Sequence, residues 1–137
     1  DFLKQQVVSC LSDFGSDVIK TGMISSPADV EALCAAASPC ELYKWVVDPV
    51  MVSTSGHNLV GPETVTTIKS KLFPLAWIIT PNLPEAAMLL GRDVNGREGM
   101  VVAARHLSEL GPRWVLIKGG HSDDNGDGLS ADLLYES

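Results

Sequence analysis

The sequence predicts an α/β fold: a mostly parallel sheet covered on both faces by helices. Segments with apolar residues at helical spacing alternate with short apolar runs along the whole chain, the pattern of βαβ units. The runs at 45–47 (Trp-Val-Val) and 77–79 (Trp-Ile-Ile) are uninterrupted, as expected of strands buried on both sides. The strand candidates end in Gly, Asp-Pro, Thr-Pro-Asn or Lys-Gly-Gly, which punctuate the chain.

Taken in order, Phe2, Leu3, Val7, Val8 and Leu11 share one face of a first helix. Residues 17–22 read as a strand ending at Gly22. Pro27 opens a helix to about residue 37, with Ser26 as its N-cap. A strand at 45–49 runs into Asp48-Pro49, and Pro62 opens a helix to about residue 72. A strand at 77–80 runs into Thr80-Pro81-Asn82, and the short helix after it stops at Gly91. Val101, Val102, Ala104, Leu107 and Leu110 mark another helix, stopped by Gly111-Pro112. A strand at 114–119 reaches Gly119-Gly120. A last strand near 131–136 is expected to run antiparallel. The acidic loop at 122–128 lacks the spacing of a calcium-binding EF-hand and reads as a solvated turn.

The chain has 137 residues, 45% of them hydrophobic and 20% charged, a globular composition sufficient for one core. A net charge of −7 argues against non-specific nucleic-acid binding and against anionic membrane surfaces. It leaves a nucleotide open, because local backbone donors and a magnesium ion hold phosphates. No apolar run reaches the length of a membrane span. Cys10, Cys34 and Cys40 form no C-x-x-C pair, which points to a reducing compartment. The chain opens at Asp1, already in a helical pattern, so it is expected to belong to a longer protein.

Four strand ends carry polar residues suited to chemistry: Lys20-Thr21-Gly22-Met23, Asp48-Pro49-Val50-Met51, Asn82-Leu83-Pro84-Glu85 and Lys118-Gly119-Gly120-His121. In an open parallel sheet, ligands bind at the carboxyl edge of the strands. Asp48 could hold a hydrated magnesium ion there, or merely start a turn. Asn82 and Glu85 have capping-box spacing, which needs no ligand but would also turn a helix N-terminus toward phosphate. Gly119 and Gly120 allow either a tight turn or close approach to a ligand, and Lys118 could pair with phosphate. The residues at 51–56 could cover a ligand or form a plain connection.

Read in order, VIKTGM, VVDPVMVSTSG, TPNLPEAAMLLG and VLIKGGH resemble the hydroxymethylpyrimidine/phosphomethylpyrimidine kinases of the ribokinase-like superfamily. The likeness runs from about residue 2 to 135. It implies a ribokinase-like three-layer α/β/α fold, present as one partial domain over 1–137. The family's N-terminal glycine-rich strand and turn, with a pyrimidine-reading glutamine, would precede Asp1. Its Gly-Thr-Gly-Cys segment, with the catalytic group, would follow Ser137, so no catalytic residue is expected within the chain. The resemblance implies ATP and Mg2+ as cofactors. It places Gly22, Met23 and Val50 on the pyrimidine, Asp48 and Glu85 at the metal, and Asn82, Lys118 and Gly119 by the nucleotide. His57 stands where many relatives carry Asp and receives no role.

The implied reaction is transfer of the ATP γ-phosphoryl group to 4-amino-5-hydroxymethyl-2-methylpyrimidine and then to its monophosphate, in thiamine biosynthesis. Pyridoxal kinases share variants of these motifs, although TGM and KGGH favour the pyrimidine enzymes. A kinase-derived binding module without catalysis is the third reading. A homodimer is implied for the full-length enzyme. The MVSTSG wording is similar to plant and algal versions fused to a thiamine-phosphate synthase. The expected location is therefore the cytoplasm, or the plastid for a plant or algal protein.

Overall fold

A computed structural model describes residues 2–37, 44–53, 58–120 and 131–137. His57, His121, Cys40 and the acidic loop lie outside these residues. Among the described residues, five helices, five strands and two short helical turns follow the expected order: α1 (Phe2–Asp13), β1 (Val18–Thr21), α2 (Pro27–Ala37), β2 (Lys44–Val47), α3 (Pro62–Thr67), β3 (Ile78–Ile79), α4 (Leu83–Leu90), α5 (Gly96–Ser108), β4 (Trp114–Ile117) and β5 (Leu133–Glu136).

Local chemistry fixes most boundaries. The Ser26 hydroxyl accepts from the Asp29 N–H at 3.2 Å, the expected N-cap of α2. Gly91 ends α4 in the left-handed conformation, with φ of 66°, which costs glycine no Cβ clash. Beyond α3 the helical path continues, but through a π-helical turn (Ile68–Leu72) and a 3-10 turn (Phe73–Leu75). The hydroxyls of Thr66, Thr67 and Ser70 each donate to the carbonyl four residues back, at 2.9, 2.8 and 2.9 Å. Such back-bonding competes with the regular helical ladder. The helix expected over 101–110 begins earlier, at Gly96. β3 is only two residues long, yet backbone bonds from Trp77 N to Trp45 O (2.9 Å) and from Thr80 N to Val47 O (3.0 Å) extend its pairing.

The strands lie side by side in sequence order, β1-β2-β3-β4-β5. The first three pairings are parallel and β4–β5 is antiparallel, as expected. One face of the sheet makes the core. Trp45, Val47, Ile79, Val115 and Ile117 pack there with Val30 and Leu33 of α2, Ile68 and Leu72 of the π turn, Ala86 and Leu89 of α4, and Met100, Ala103 and Leu107 of α5.

The alternate residues Val18, Lys20, Lys44, Val46, Ile78, Trp114, Leu116 and Leu134 share the other face, and all are half-buried or exposed. The expectation of helices on both faces is therefore met on one face only among the described residues. Each crossover steps one strand along the sheet in the same direction, and right-handed crossovers taken in one direction deposit their helices on one side. No helix among the described residues is long and apolar enough to cross a membrane.

Candidate functional site

β2 delivers Asp48 to the carboxyl edge of the sheet, where its N–H donates to Thr21 O at 3.1 Å. β4 delivers Lys118, which bridges Asn82 in parallel fashion and donates its N–H to Pro81 O at 2.9 Å. Strand alternation turns both side chains to the open face. There the Lys118 ammonium donates to Asp48 Oδ1 at 2.9 Å. Lys20, on the same face of β1, donates to Asp48 Oδ2 at 3.1 Å. One carboxylate thus lies between two ammonium groups, one on each oxygen. Burial pushes the Asp48 pKa up, but the hydrogen bonds and charges of Lys118 and Lys20 outweigh it and hold the pKa below the usual value.

The capping box predicted from spacing closes on α4. The Glu85 N–H donates to Asn82 Oδ1 at 2.8 Å, and the Asn82 N–H donates to Glu85 Oε2 at 2.9 Å. Pro84 has no N–H and the Glu85 N–H is spent on the cap, so within the first three helical residues only the Leu83 N–H is left for a ligand. This helix end can act on an anion through its dipole more than through an amide cradle. Glu85 is 2% exposed. Burial raises its pKa above the usual range, against the Asn82 and Met51 N–H groups and Lys118, and with the help of the Asp48 charge.

Asp48, Asn82, Glu85 and Lys118 therefore meet at one edge of the sheet, as the sequence predicts. Gly22 and Met23 follow β1 directly at the same edge, and Met23 is 57% exposed. Val50 is half-buried and donates its N–H to Asp48 O at 2.9 Å. Of the segment 51–56, residues 54–56 lie outside the described residues. Met51 is fully buried, its carbonyl accepts from Leu59 N at 2.7 Å, and Val52 bridges Asn58.

Gly119 has a structural reason of its own. A methyl there would run into the Ala131 carbonyl, and the Gly119 N–H donates to Asp132 Oδ1 at 2.9 Å. A cavity of about 420 Å³ between α1, β1 and α2 is lined by Thr21, Gly22 and Met23. The Thr21 hydroxyl is the one buried side-chain polar atom without a partner among the described residues. Lys20, named in the sequence as part of a strand end, received no role there. Its signal was parity, since Lys20 and Asp48 are the outward residues at the ends of neighbouring strands. Asp132 gave no such signal, because its role depends on where β5 returns.

The model of the phosphomethylpyrimidine kinase family matches residues 1–137. The chain belongs to this family. It is 45% identical over 137 residues to the chloroplastic thiamine biosynthetic bifunctional enzyme of Arabidopsis thaliana, a match covering 99% of this chain and 26% of that protein. Among solved structures, phosphomethylpyrimidine kinase from Clostridium difficile 630 superposes with a TM-score of 0.84 at 36% identity, covering 97% of this chain and 56% of that one. An ADP complex of Bacillus subtilis pyridoxal kinase gives a TM-score of 0.85 at 32% identity, covering 97% and 49%. The family segment thus spans about a quarter of the bifunctional enzyme and about half of each solved kinase. These likenesses agree with the ribokinase-like α/β class read from the motifs.

Proposed function

We propose that this chain is part of an ATP-dependent kinase that phosphorylates 4-amino-5-hydroxymethyl-2-methylpyrimidine and then its monophosphate. The observation that carries the reading is the Asp48–Lys118 pair beside the capped start of α4, within a chain matched end to end by the family. Phosphoryl transfer depends mainly on positioning and on charge stabilisation. Lys118 supplies a cation toward the nucleotide phosphates. Asn82 fixes the helix end whose dipole favours the same anions, and Gly119 sets the course of the backbone after β4. Gly22, Met23 and Val50 form one wall for the pyrimidine.

Mg2+ near Asp48 and Glu85 is part of the same proposal. That ion keeps several waters and takes one or two carboxylates together with substrate phosphates, and Asp48 and Glu85 are two carboxylates at one edge. When bound, it would offset phosphate charge. Residues that complete the transfer site, including the catalytic group, are assigned to sequence beyond 1–137. A homodimer, a fused thiamine-phosphate synthase, and a cytoplasmic or plastid location belong to the same proposal. The fusion and the plastid rest on the likeness to a chloroplastic bifunctional enzyme.

Pyridoxal phosphorylation is the second reading, favoured by the close superposition on a pyridoxal kinase. A substrate panel on the full-length protein separates the two. We expect ATP-dependent turnover of the pyrimidine alcohol and of its monophosphate. A kcat/KM at least tenfold higher for pyridoxal would replace the first reading with the second.

A further inference from the structure

We propose that Lys20 is the residue that lets this site accept a phosphate monoester as well as a neutral alcohol. The inference rests on the function proposed above and adds a residue to it. In the first transfer the hydroxymethyl oxygen attacks the γ-phosphorus of ATP. The new O–P bond forms, the bond to the β-phosphate oxygen breaks, ADP leaves, and the alcohol proton is released. In the second transfer an oxygen of the substrate's own phosphate attacks another γ-phosphorus, giving a diphosphate and ADP. The steps differ most in charge, because the second drives one anionic phosphate against another. Like charges at such separations repel strongly in a partly desolvated site. A site that performs both steps needs a cation on the acceptor side as well as one on the donor side.

The carboxyl edge of the sheet holds two such cations on opposite oxygens of one carboxylate. Lys118 Nζ lies 2.9 Å from Asp48 Oδ1, on the side of Asn82 and α4. Lys20 Nζ lies 3.1 Å from Asp48 Oδ2. It is two residues before Gly22 and three before Met23, the segment assigned to the pyrimidine. The acceptor phosphate would lie between the pyrimidine wall and the nucleotide, within reach of Lys20. An ammonium has three donors, so the bond to Asp48 leaves others for a ligand, and the Lys20 side chain is 60% exposed. Lys20 and Lys118 together balance the two carboxylates of this edge, Asp48 and Glu85. Asp48 already has Lys118 on its other oxygen, and the exposed ammonium of Lys20 limits what its own ion pair adds to stability. Its placement is better explained by an anion that must pass it.

The test is steady-state kinetics of the full-length enzyme and its Lys20→Ala and Lys20→Arg variants, with the alcohol and the monophosphate as separate acceptors. Loss of one charged donor costs on the order of 100-fold where it meets developing or incoming anionic charge. Lys20→Ala should therefore lower kcat/KM for the monophosphate by about 100-fold and for the alcohol by less than about 10-fold. Lys20→Arg should restore most of the difference, and the unfolding midpoint of both variants should stay near that of the parent. Equal losses with both acceptors, or no loss with either, would overturn the role of Lys20 while leaving the pyrimidine kinase reading intact. A parent enzyme that turns over neither pyrimidine would overturn that reading, and this inference with it.

Discussion

Asp48 and Glu85 sit at the same sheet edge and respond to pH in opposite senses. The Asp48 pKa is lowered from an ordinary 3.8, because its two lysines outweigh the cost of burial. Its ionised form contributes stability that is complete above the unfolded value and is lost as pH falls through the lower folded value. Glu85 is raised by burial, so its contribution is present below the unfolded value and lost as pH rises through the folded one. Asp48→Asn should therefore flatten the acid limb of stability below about pH 4, read as the unfolding midpoint against pH. An acid limb as steep as that of the parent would show that the lysines do not stabilise the carboxylate. Glu85→Gln should spare folding, because glutamine can also serve at the N3 position of a capping box. In the full-length enzyme it should lower magnesium-dependent turnover by a far larger factor than it changes stability. Comparing kcat/KM over a Mg2+ titration with the denaturant midpoint checks this.

At the scale of the element, α4 is the best-defined piece of the site. Asn82 closes its start and Gly91 its end, and Ala86 and Leu89 anchor it in the core. Asn82→Ala removes the cap from the Glu85 N–H and should cost about 1 kcal/mol of stability. A denaturant titration should show a lower midpoint with an unchanged slope, and an unshifted midpoint would mean that the cap is energetically idle. At the opposite edge of the sheet, the cations of Lys44 and Arg113 lie over the Trp77 ring, 5.0 and 4.7 Å from its centre. Both are cation–π contacts. The close pass of Ala131 over Gly119 joins the β5 return to the carboxyl edge.

At the scale of the whole molecule, the core formed by the described residues lies on one side of the sheet. Val18 is 47% exposed and Leu134 58% exposed on the other side, with Val46, Ile78, Trp114 and Leu116 half-buried between them. Open apolar sheet surface of this kind favours association. Residues 1–137 produced alone should transfer phosphate to hydroxymethylpyrimidine at no useful rate and should self-associate. Losing even one oxyanion donor commonly costs on the order of 10²–10³ in rate, and here the proposed catalytic group lies outside the segment. Robust ATP-dependent phosphorylation by this segment, in an assay alongside the full-length enzyme, would overturn that division of the site.

The sequence by itself determined the features that depend on near neighbours. Proline, serine and asparagine set where α2, α3 and α4 begin, and glycine set where α4 stops. The spacing of Asn82 and Glu85 specified a capping box, and the rule that parallel strands present their carboxyl ends together placed Asp48, Asn82 and Lys118 at one edge. Tertiary structure decided what depends on distant segments meeting. Asp48 pairs with Lys20 across 28 positions and with Lys118 across 70; parity gives the face each side chain takes, but which strands are neighbours is decided by the fold. The one-sided core follows from strand order, which is set by pairing between separate segments. Uninterrupted apolar strands read as buried on both faces because their composition records what the sheet can bury, whereas the path of the crossovers determines which face these helices cover.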